Sequence, residues 1–80
     1  MIVTVDISFY PLQDDYVRRV LSFIEQLRKR TDLTIQTNAM STQITGPYEE
    51  VMSLVQEQMQ DVFEFEDAVF VMKVAKTVRS

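Results

Sequence analysis

Eighty residues with 46% apolar and 25% charged content describe one globular domain, residues 1–80, and exclude both a second domain and a disordered chain. Eight cations against 12 acids leave a formal charge of −4, a field that repels phosphate backbones and argues against nucleic acid as a partner. With no histidine, no cysteine and 1 glycine, the chain lacks an imidazole base, a thiol nucleophile and a glycine-rich phosphate loop, which closes most enzyme classes.

From Val3 to Phe9 the odd positions Val3, Val5, Ile7 and Phe9 are apolar, while Thr4, Asp6 and Ser8 fill the even ones. Such alternation predicts a half-buried strand. An N-terminus that reads as this strand, without a basic leader, points to the cytoplasm. Asp6, mid-strand on the polar face, is costly there unless it is paired or solvated; the reading is an exposed or salt-bridged strand residue, with a ligand contact as the alternative. Pro11 has no amide proton for the ladder and should stop the strand, leaving Asp14 or Asp15 to cap a helix. In that helix Tyr16, Val20, Phe23, Ile24 and Leu27 recur at three- and four-residue steps and form its apolar stripe. Arg28, Lys29 and Arg30 fall where the helix dipole favours cations.

Leu33 to Thr37 alternates again, Asn38 to Ser41 has turn composition, and Thr42 to Thr45 resumes β character, which together predict a hairpin. Gly46, Pro47 and the acids Glu49 and Glu50 mark a helix start with proline in the first helical position. Tyr48, Val51, Leu54, Val55, Met59 and Val62 supply the second apolar stripe. Glu64, Glu66 and Asp67 could hold a hard cation, but their spacing resembles no coordinated turn, and a solvated loop is the reading adopted; no metal site and no cofactor are expected. Ala68 to Val74 is apolar on both parities, as a strand covered on both faces would be. Its run from Ala68 to Met72 falls far short of the roughly 20 residues that cross a bilayer, so no membrane partner is expected.

The order β-α-β-β-α-β predicts a ferredoxin-like α+β domain, a four-stranded antiparallel sheet with two helices on one face. If Phe70, Met72 and Val74 face the helices, Val69 and Val71 face the open side, an apolar patch that a second copy would cover. A chain this short, without disulfides, often completes its burial by self-association, so an oligomer is expected.

The polar cluster Gln36 to Thr42 offers donors and acceptors that suit a neutral heteroaromatic edge, although the same residues make ordinary turns. Three segments carry a more specific signal: Ser8-Phe9-Tyr10-Pro11-Leu12, then Ile35 through Gly46 with its Met40-Ser41-Thr42 step, then Tyr48-Glu49-Glu50-Val51-Met52. Together they resemble the thiamine-binding, YkoF-like family over nearly the whole chain, departing at Ala39, where many relatives carry proline. The resemblance implies a non-catalytic domain that associates as a dimer or tetramer through the sheet and binds thiamine or its hydroxymethylpyrimidine moiety, with Ser8, Tyr10, Asn38, Met40, Ser41 and Thr42 facing the ligand. Two other readings stay open: an assembly domain that ignores small ligands, and an enzyme using Asp6 and Tyr10 as its acid/base pair.

Overall fold

The computed structural model describes residues 1–76. Its elements run β1 (Ile2–Pro11), α1 (Tyr16–Arg28), β2 (Thr34–Thr37), β3 (Thr42–Pro47), α2 (Tyr48–Phe65) and β4 (Ala68–Lys76). The strands pair antiparallel in the order β2-β3-β1-β4, with both helices on one face, which is the ferredoxin-like α+β arrangement.

β1 lies between two strands, and its alternation sets the layers. Val3, Val5, Ile7 and Phe9 are all buried beneath the helices, while Thr4, Asp6 and Ser8 are half-buried on the opposite face. The register carries this across the sheet, since Val5 stands opposite Ile44 of β3 and Val74 of β4. Phe23 and Leu27 of α1, Val51, Leu54 and Val55 of α2, and Leu33 complete the core. Each such side chain contributes about 1.5–3 kcal/mol through apolar area removed from water. Phe9 anchors an aromatic group, its ring centroid 5.0 Å from those of Phe23 and Phe70. Phe63 meets Phe70 edge-on at 5.4 Å.

The element ends differ from expectation in instructive ways. β1 does end at Pro11, opposite Ala68. The expected carboxylate cap of α1 is absent: Asp15 is the N-cap residue, but it is left-handed at φ 64°, and its side chain caps no helix amide. That backbone turns the carboxylate away from the first helical N–H groups. Arg18 Nη2 instead donates to Asp15 Oδ2 at 2.9 Å, and Arg19 Nε donates to the Asp14 carbonyl at 2.8 Å. Pro47 is the N-cap of α2 and not its first helical residue, because β3 runs directly into the helix and Pro47 still pairs with Ile2. Glu49 and Glu50 do occupy the first turn. Tyr48, at the start of the predicted stripe, is 43% exposed.

β4 is not covered on both faces within this chain. It is an edge strand, and Val69, Val71 and Val74 are 44%, 51% and 46% exposed. Val69 and Val71 pair with Tyr10 and Ser8 on the open face. Val74 lies on the helix side, opposite Val5, yet stays exposed, whereas Phe70 nearer the start of β4 is covered by Phe63 of α2.

Gly46 is required by a close approach. A Cβ there would sit 2.5 Å from Leu33 Cδ2 and 3.4 Å from Val51 Cγ2. Gly46→Ala should destabilise the domain by about 1–3 kcal/mol in urea unfolding, and Leu33→Val in the same chain should offset part of that loss.

Between α1 and β2, Arg30 donates to both carboxylate oxygens of Asp32 at 2.9 and 2.8 Å, and to Glu50 at 3.4 Å. The Arg30 hydrogen bonds hold Asp32 at about 2, below its ordinary 3.8. A depressed carboxylate stabilises the fold above its unfolded pKa and loses that contribution as pH falls through its folded one. Acid titration should therefore show a loss between about pH 4 and pH 2 that Asp32→Asn flattens, small because the pair is exposed.

Candidate functional site

β1 pairs with β3 only as far as Ile7, opposite Thr42, but continues to Pro11 against β4. Past Ile7, one flank of its backbone has no strand neighbour, and the β2–β3 turn curls into the space beside it. The turn spans 38–41. Asn38 organises it: its backbone N–H donates to the Ser41 carbonyl at 3.0 Å, and its Oδ1 accepts from the amides of Met40 at 2.7 Å and Ser41 at 3.0 Å. This Asx arrangement replaces the pairing that the strands have given up.

Two side chains of β1 hold the turn from below. Ser41 Oγ donates to Asp6 Oδ1 at 2.5 Å, and Ser8 Oγ donates to the Met40 carbonyl at 3.2 Å. Asp6 is thus a paired strand residue, its half-buried carboxylate satisfied by the turn it fastens. Tyr10 lies on the same strand face four residues on, its Cα roughly 13 Å along the strand from that of Asp6.

The gap beside β1 is a cleft of about 290 Å³. All six residues singled out in the sequence line it: Ser8 and Tyr10 from β1, Asn38, Met40 and Ser41 from the turn, and Thr42 from β3. They do not share a sheet face. Ser8 and Tyr10 sit by register on the open side, opposite Val71 and Val69, whereas Thr42 lies opposite Ile7 on the helix side and is 4% exposed. The cleft therefore wraps the end of the sheet and does not lie on either face. Its far wall comes from α1, through Tyr16, Val20, Phe23 and Ile24. Sequence reasoning placed these four in a core stripe and missed the wall; the available signal was Tyr16, whose polar hydroxyl and position at the start of the stripe suit a rim, and which is 47% exposed.

A polar turn faces an apolar, partly aromatic helix across this gap, the composition expected of a small-molecule cleft. The acidic group before β4 has a different use. Glu66 accepts from Arg19 Nη1 at 2.6 Å, and no cluster of three or more potential metal ligands occurs among the described residues. Nor is any described helix long and apolar enough to cross a membrane.

Sheet order, helix placement and end-of-sheet cleft define a small ferredoxin-like α+β domain with one polar and one apolar cleft wall. The chain belongs to the thiamine-binding protein family, whose profile matches residues 5–78. A candidate thiamine biosynthesis/salvage protein from Thermotoga maritima superposes with a TM-score of 0.84 at 21% identity, covering 96% of this chain and 85% of its own. A hypothetical protein from Methanocaldococcus jannascii gives 0.80 at 27% identity, over 99% and 84%. A protein from Streptococcus pneumoniae gives 0.86 at 16% identity, over 96% and 88%. No curated protein sequence matches the chain.

Removing the Asp6 partner should loosen the turn. Ser41→Ala is expected to cost about 1.5 kcal/mol, the low end for a hydrogen bond to a charged group because this one is only part-buried. Amide hydrogen exchange at Met40 and Ser41 should accelerate selectively, with the core strands unaffected.

Proposed function

We propose that this domain binds thiamine or its hydroxymethylpyrimidine moiety in the cleft beside β1, as a binding protein without turnover. One observation carries the reading: Ser8, Tyr10, Asn38, Met40, Ser41 and Thr42, drawn from two separate parts of the chain, line a single cleft in a member of the thiamine-binding family. The similarity to the Thermotoga maritima protein, a candidate in thiamine biosynthesis or salvage, supports the same ligand class.

The hydrogen bonds already made assign what each group has left to offer. Asn38 spends its Oδ1 on two backbone amides, so its side-chain NH₂ is the donor that would meet a pyrimidine ring nitrogen. Ser41 gives its proton to Asp6, so its oxygen lone pairs are free to accept from an exocyclic amino group. Tyr10 or Met40, both exposed at the mouth, would pack on the ring face. With whole thiamine, the cationic thiazolium would gain from the net charge of −4 and from a nearby aromatic ring.

Self-association would give the open face of the sheet, which Ser8 and Tyr10 share, a second role. Val69 and Val71 stand exposed on the open face, and a dimer or tetramer joined there would bury them. In the competing reading this assembly is the whole function and the cleft is unused.

Calorimetric titration with thiamine and, separately, with hydroxymethylpyrimidine distinguishes the two. Saturable heat at about one site per chain is expected, with stabilisation near 2.7 kcal/mol when ligand stands at about 100 times its dissociation constant. Asn38→Ala should abolish the heat. Silence toward both compounds up to about 1 mM, with a defined oligomer in sedimentation, would leave the assembly reading in its place.

A further inference from the structure

The helix α1 meets the rest of the chain on two sides. Phe23 and Leu27 are buried in the core, and Arg19, Ser22 and Gln26 face α2 across a second cleft, of about 330 Å³, which Phe9 and Phe23 divide from the first. The remaining side is open to solvent and is not purely polar. Val17 and Leu21, one turn apart, are 68% and 60% exposed. With Arg18, Ser22 and Glu25 they line a shallow hollow along the outer face of the helix. Exposed aliphatics alone need no explanation. What sets this face apart is the order of its charges.

Arg18, Leu21, Glu25 and Arg28 follow at steps of three, four and three, the spacing of one seam along a helix, and all four are exposed. Asp14 and Asp15 stand at the start of α1, with Arg28 and Lys29 at its end. The seam therefore runs negative, positive, apolar, negative, positive. Read backwards, every charge in that series is replaced by its opposite. An antiparallel copy of the helix thus sets Arg18 against Glu25 and the acids of one end against the cations of the other, with Leu21 meeting its own counterpart. The pairings of 18 with 25 and of 14 with 28 share Leu21 as their midpoint to within about half a residue. A parallel copy would set like on like throughout, and it would also align the two helix dipoles unfavourably.

These charges are weakly held within the chain. Glu25 makes no ion pair with any described residue. The Arg18 and Asp15 side chains pair at 2.9 Å but are 75% and 57% exposed, and Arg28 reaches only Thr37 Oγ1, at 3.2 Å. Exposed contacts of this kind contribute little and exchange readily. A partner of uniform charge would gain at some positions of the seam what it lost at the others, whereas a second copy gains at every one.

We infer that α1 is a self-docking surface: two copies of this chain pair through its outer face, antiparallel about a twofold axis at Leu21, with Arg18 of each beside the partner's Glu25. This contact is distinct from association through the sheet, because α1 covers the opposite face, and it does not depend on the thiamine reading. One helix from each copy buries less than a standard interface, so the contact is transient, with a dissociation constant on the order of 0.1–1 mM.

The chain has no cysteine, so a thiol placed at the centre of the seam reports the pairing. With helix axes about 8–10 Å apart, residues on the twofold bring their Cα atoms to about 4–6 Å, within disulfide reach. At about 100 µM protein with oxidised glutathione, Leu21→Cys is expected to form a disulfide-linked dimer about tenfold faster than Ser53→Cys, an exposed position on α2. In the Leu21→Cys background, Arg18→Glu and Glu25→Arg should each slow the reaction severalfold, since each reversal opposes like charges twice. An equimolar mixture of the two variants should restore the rate, because each then meets its opposite on the other, and a merely misfolded variant would not be rescued in this way. Equal rates at positions 21 and 53, indifference to either reversal, or no recovery on mixing variants whose fold is verified by circular dichroism would each overturn the pairing. Sheet association alone would leave Leu21→Cys no faster than Ser53→Cys, and thiamine binding bears on neither rate.

Discussion

Everything in this domain is referred to the alternation of β1. It is a central strand, paired with β3 on one flank and β4 on the other, and both of its faces are in use. Its odd residues form the floor of the core under both helices, and its even residues carry the polar groups that fasten the hairpin turn. Because side chains in a strand alternate with period two, a shift of one residue would exchange these roles completely, putting Asp6 and Ser8 under the helices and Val5 and Ile7 into solvent. The cost of that exchange is what makes the register unique.

A second consequence follows from length. β1 has 10 residues and β3 has 6, so the strands cannot stay paired to the same end. The mismatch creates the cleft, and the turn residues fill part of the unpaired space with a local hydrogen-bond system centred on Asn38. Asp6 and Ser8 tie that system to the sheet, so the groups on the cleft's polar wall are held by a rigid strand and not by the turn alone. A site supported in this way loses little entropy on binding, which is the usual reason that recognition loops are anchored to sheets.

Phe9 links the two ends of the molecule's apolar organisation. It belongs to β1, packs between Phe23 of α1 and Phe70 of β4, and faces both clefts. On one side of it the polar partners come from the hairpin; on the other they come from the two helices. The same core that holds the helices to the sheet thus separates two cavities with different walls.

Element order, strand alternation, the hairpin and the apolar stripes were legible in the sequence because each depends on local periodicity: Val3 to Phe9 can bury one face only as a strand, and Phe23 with Leu27 only as a helix. The six cleft residues were legible as a group through their resemblance to a family, though not as a wall of known shape. What the sequence alone left undecided depends on where elements meet. The backbone of Asp15 turned its carboxylate away from the helix it precedes, the end of β4 stayed exposed on both faces, and Leu33 packs closely over Gly46. Only the folded chain could show that Asp6 is fastened to Ser41, 35 residues away, that α1 forms the opposite wall of the cleft, and that Glu66 is paired with Arg19. These are contacts between distant segments, set by strand register and by the unequal lengths of β1 and β3, and no local pattern encodes them.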